Sequence, residues 1–196
     1  PRLRTLQTVS TRVRPRPIEC TFQLTRRRHM FRTLDDFLDI WKDESGLTHK
    51  VLLTLTDASL AQAITQDHRT LGRLGWHLAQ TIPEMMKRTG LKIAGPADQE
   101  SVPTSAKIIA DNYSRASMSL VQQLRARWTD ETLAVTDEMY GEKWTRAFTL
   151  RALVLHQVHH RGQMTVLLRQ AGLRTPDIYG PAKESWAQWN MQPPAI

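Results

Sequence analysis

The sequence predicts an all-α domain, a four-helix bundle, and three observations carry the prediction. Four long segments repeat apolar residues at helical spacing. Each opens near a threonine or serine suited to an N-cap. No stretch shows the strict alternation and hairpin turn that a half-buried strand pair would need. With 196 residues, 40% of them apolar and 23% charged, the chain can bury one full core.

The first helix is expected from Thr33, its N-cap, to about Leu55, with Asp35 and Asp36 in its first turn. It carries Phe37, Ile40, Trp41, Leu47, Val51 and Leu52, and Gly46 weakens its middle. A connection from Thr56 to Asp67 includes a short amphipathic piece at Leu60 to Ile64. The second helix runs from about Thr70 to Arg88, kinked by Pro83 and stopped by Thr89-Gly90. Residues 91–103 read as a loop. The third helix spans Thr104 or Ser105 to about Trp128, and Thr129 to Lys143 is a polar connection. The fourth starts near Trp144 or Thr145 and ends at Ala171-Gly172. The tail is proline-rich, with one further turn at Ser185 to Trp189.

Charge is unevenly placed. The formal net charge is +8, but residues 1–29 hold eight arginines and one acid, Glu19, a net of +7. From Met30 onward 19 basic and 18 acidic residues leave +1. The domain is therefore expected over residues 30–196, without a general nucleic-acid-binding face. Residues 1–29 read as an Arg-rich extension, disordered or upstream of the true start at Met30. Their composition also suits a targeting peptide or a nucleic-acid-binding arm. No run of residues is long and apolar enough for a membrane helix. The single cysteine, Cys20, lies in the extension, so the body has no disulfide and no thiolate ligand, as expected of a cytoplasmic protein.

The chemistry concentrates on histidine. His156 and His160 stand four apart on the fourth helix and project from one face. Two imidazoles at that spacing can bind one divalent ion. They lie nearly opposite Arg151, Arg161 and Arg169, on the side of Leu153 and Leu167, so they are expected to face inward. Two hydrogen-bonded core histidines would look the same. His159 points away and reads as a flanking residue. His77 sits at the edge of the second helix's apolar stripe (Leu71, Leu74, Leu78, Ile82), beside a polar side bearing Arg73 and Gln80. By itself it is a boundary histidine. His29, His49 and His68 have no helical partner.

Two metal chemistries are excluded by spacing. A zincin needs Glu after the first histidine, and Gln157 stands there. A di-iron bundle needs Glu three residues before each histidine, where Leu153 and Gln157 stand.

Three stretches resemble the DinB/YfiT-like superfamily of metal-dependent proteins. The second helix reads Leu71-Gly72-Arg73-Leu74-Gly75-Trp76-His77, like that family's first-histidine segment. The fourth reads His156-Gln157-Val158-His159-His160-Arg161-Gly162-Gln163, like its His-x-x-x-His-Arg-Gly-Gln signature. The tail reads Ile178-Tyr179-Gly180-Pro181, a Tyr-Gly-Pro ending found in one branch. The resemblance covers about Met30 to Trp189. It implies a four-helix bundle, often a homodimer, with one divalent metal held by His77, His156 and His160. Zinc and nickel are the usual ions, and imidazole suits both.

By the same resemblance the expected activity is that of a metal-dependent thiol S-transferase, with a low-molecular-weight thiol and an electrophilic small molecule as substrates, or a hydrolase. No acid–base residue stands out: the direction of Glu84 depends on Pro83, and Arg161 and Gln163 read as packing or orienting groups. The alternatives are a non-catalytic metal-binding stress-response protein, or a dimeric helical interaction module without metal. The fourth helix, apolar around most of its circumference, suits a dimer contact.

Overall fold

A computed structural model describes residues 30–195. Four α-helices dominate it: α1 (Leu34–Leu53), α2 (Leu71–Lys87), α3 (Ala106–Arg127) and α4 (Arg146–Gln170). Both α1 and α2 pack against α3 and α4. Short 3-10 turns lie at Asp57–Ala61, Asp130–Ala134 and Lys183–Trp189. The reading of residues 1–29 as an extension lies outside the described residues.

The helix starts follow from side-chain chemistry. Thr33 caps α1 through a capping box with Asp36. Thr70 and Thr145 accept from the third backbone N–H of α2 and α4. Ser105 makes no such bond at α3. Its place is taken by Asp57, whose carboxylate accepts from Ala106 N–H at 2.7 Å. Asp130 likewise accepts from Leu34 N–H at 2.7 Å, so α1 receives a second cap from the far end of α3. Two of the four helix starts are thus bonded to a connection distant in sequence.

The structure corrects the all-α expectation. The polar connection before α4 contains an antiparallel hairpin, β1 (Thr136–Met139) and β2 (Glu142–Thr145). Its two-residue turn places Tyr140 at φ 53° and Gly141 at φ 83°, the pair of positive values that matches the twist of a tight hairpin. Met139 is fully buried, and Arg146 binds the Asp137 carboxylate at 2.9 Å, fixing the hairpin to the start of α4. Pro83 leaves α2 assigned as one helix through Lys87.

The core is built on Phe37, Trp41, Trp76, Leu78, Ile82, Ile109, Leu120, Leu150 and Leu168, all fully buried. Trp41 donates to Ser117 Oγ at 3.0 Å and joins α1 to α3. Gly75 is the close-approach point of α2: a Cβ there would lie 3.0 Å from Leu52 and 3.1 Å from Ile109. Two residues later on the same helix comes His77, whose ring meets α4 at His156. Gln80, expected on a polar side, is instead buried at 4% exposure. Its amide donates to the carbonyls of Ala97, Asp98 and Glu100, pinning the 91–103 loop to α2.

Candidate metal centre

His77 from α2 and His156 and His160 from α4 meet in space, and their ligand atoms all lie within 4.8 Å of one another. His156 Nε2 is 3.0 Å from His77 Nε2 and 3.1 Å from His160 Nε2. Nitrogens sharing one ion at a bond length of about 2.1 Å stand about 3.0–3.4 Å apart. His160 is buried, and His77 and His156 are half-buried.

The protonation of the cluster can be read from its partners. His160 Nδ1 lies 2.7 Å from Gln163 Oε1. An amide oxygen only accepts, so Nδ1–H donates and Nε2 presents its lone pair to the centre. His156 Nδ1 is buried without a hydrogen-bond partner. A proton on His156 Nε2 would serve one of its two imidazole neighbours and leave the other contact unmet. A single cation between the rings satisfies all three lone pairs together, so the donor set fits one divalent ion.

Electrostatics favour the neutral, ligating form. Burial, then the neighbouring His156 and His160, hold His77 down at about 3. Burial and His160 hold His156 at about 4. His160 is also lowered by burial, against the opposing effect of its bond to Gln163. At neutral pH protons therefore compete little with a metal.

Beside the triad opens a cavity of about 420 Å³. His160, Gln163, His159, Asp67, His68 and Arg69 supply its polar lining, and Ile64, Leu74 and Leu167 its apolar wall. His159 is exposed, with its ring 4.8 Å from that of His160. His49 lies elsewhere, stacked on Tyr113, and His68 lines the cavity outside the triad, bonded to Thr65. His29 falls outside the described residues. Glu84 is committed to Arg88 and to the Tyr140 hydroxyl.

Arg161 packs between α4 and α1. On the arginine side of α4, Arg161 is 1% exposed, in keeping with a packing role. It donates to the Glu44 carbonyl and to Thr48 Oγ1, and pairs with the Glu44 carboxylate at 2.5 Å. Tyr179 completes the cluster, contacting Arg161 and donating to Glu44 at 2.6 Å. The arginine of the His-Arg-Gly-Gln stretch and the tyrosine of the Tyr-Gly-Pro stretch thus meet on one carboxylate of α1. No spacing rule links Glu44 to either.

Residues 30–191 match the DinB family model. The chain belongs to the DinB family. The uncharacterized protein YrdA of Bacillus subtilis strain 168 is 48% identical over 167 residues, 85% of this chain and 100% of YrdA. A crystal structure of a DinB-like protein from Bacillus cereus ATCC 10987 is 45% identical, with a TM-score of 0.74. It covers 76% of this chain and 100% of its own. The DinB-like protein YjoA of Bacillus subtilis has a TM-score of 0.58 at 14% identity, covering 74% of this chain and 99% of its own. That likeness shows a shared fold alone.

Proposed function

We propose that this DinB protein binds one divalent ion, zinc or nickel, through His77, His156 and His160 on a four-helix-bundle scaffold. We further propose that it uses the ion as an enzyme, transferring a small thiol to an electrophile or hydrolysing a substrate with water. The observation that supports this reading is the convergence of three uncharged imidazole nitrogens from two helices beside an open cavity. An ion held by three imidazoles keeps coordination positions free and lowers the pKa of a thiol or water bound there.

The chain's own residues supply the rest. Gln163 fixes the His160 ring so that Nε2, not Nδ1, faces the centre. Ile64, Leu74 and Leu167 keep one wall of the cavity apolar and limit water around the reacting atoms. Asp67 is the carboxylate in the lining, and its oxygens are placed to take the proton released by an entering nucleophile. A homodimer and a cytoplasmic location belong to the same proposal. Leu155 and Val166, 46% and 50% exposed and about three turns apart on α4, offer an apolar stripe for a second copy. No helix among the described residues is long and apolar enough to cross a membrane.

Elemental analysis of the purified full chain tests the metal. About one equivalent of a divalent ion is expected, absent from a His156→Ala/His160→Ala variant of unchanged helical content. No metal in the parent after reconstitution would sink the reading and favour a helical interaction module. Bound metal with no turnover in thiol–electrophile and hydrolase screens would favour a non-catalytic metal-binding protein.

A further inference from the structure

Arg69 stands apart from the other arginines around the site. Arg73 is bonded to Gln80, Arg161 to Glu44 and Arg169 to Glu184. Arg69 is exposed, lines the cavity beside the triad, and makes no hydrogen bond or ion pair with any described residue. It shares the lining of that cavity with His160 of the triad. Asp67 lies in the same lining and forms no ion pair with Arg69.

Three neutral imidazoles and a divalent ion carry two positive charges. Arg69 adds a third at the cavity wall, with five N–H donors that no described residue uses, and the Asp67 carboxylate offsets one of the three. Such a field attracts an anion, and a guanidinium binds a carboxylate by two parallel hydrogen bonds. The thiolate or hydroxide at the metal position accounts for one negative charge, and Arg69 calls for another on the same molecule, remote from the reacting atom.

We propose that Arg69 is a specificity-determining residue that selects thiols or substrates bearing a carboxylate, held between its guanidinium and the histidine triad. This rests on the metal-dependent reading above, and the test separates the two. The full-length protein is loaded with cobalt(II), whose absorption reports thiolate coordination, and titrated with N-acetylcysteine or with its uncharged amide. The parent is expected to bind the acid about tenfold more tightly than the amide. Arg69→Gln is expected to erase that preference while leaving cobalt uptake and amide binding unchanged, and Arg69→Lys to retain part of it. Failure to take up cobalt, or no spectral response to either thiol, would overturn the metal reading and this inference with it. Thiol binding with no acid preference, or the same preference in Arg69→Gln, would overturn this inference alone; the latter would mean that the carboxylate binds the metal directly.

Discussion

At the scale of single residues, the metal candidate depends on how each imidazole is oriented. His160 is held by Gln163, an outer partner of the type that fixes tautomer and ring direction in metal sites. Gln163→Met removes that acceptor while keeping similar bulk on an exposed position. Metal affinity is expected to fall about tenfold or more, with unchanged circular dichroism. Competition with a chromogenic chelator measures this, and an unchanged affinity would show that Gln163 does not orient the ring. His156 and His160 were legible from sequence because helical periodicity converts a spacing of four into a shared face. His77 was only half-legible: its edge position was visible, but its meeting with His156 spans 79 positions that no local pattern connects. Arg161 was legible as a packing group, but its partner was not, because the half-buried Glu44 lies 117 positions away.

At the scale of elements, the helices were legible where their start signals are local. Thr33, Thr70 and Thr145 cap the segments they were expected to open. The cap on α3 was invisible, since Asp57 is distant in sequence from Ala106 and carries no helix-start signature there. Asp57→Ala is expected to cost about 1 kcal/mol, the usual loss on removing a capping side chain. Its melting temperature should fall by roughly 2–4 °C, whereas Ser105→Ala should change little. Equal effects at the two positions would refute the assignment of the cap to Asp57. The hairpin escaped detection for a related reason. Its turn is Tyr140-Gly141 rather than Asn-Gly, and its strands bury only Met139 fully, so neither turn residue nor apolar alternation announced it.

At the scale of the whole molecule, the triad makes the metal-free protein sensitive to acid. The folded chain resists protonation of His77 until about pH 3 and of His156 until about pH 4, whereas the unfolded chain takes up those protons near the ordinary value of 6.5. The unfolded state thus binds more protons in the interval between, and stability rises with pH there. The urea midpoint of the metal-free protein is expected to hold steady above about pH 6.5 and to drop as pH falls toward 4. A His77→Gln/His156→Gln variant should show a shallower drop. An equal slope in both proteins would place the acid sensitivity elsewhere.

Arg161, next in sequence to His160, gives α4 an indexing pin. Sliding α4 by one residue would turn its side chains by about 100°. That turn would carry His156 and His160 away from His77 and, in the same motion, pull the guanidinium off Glu44 and Thr48. The helix is therefore registered by a residue that takes no part in ligation. Because contacts within the chain set that register, little of the free energy of metal capture goes into ordering α4.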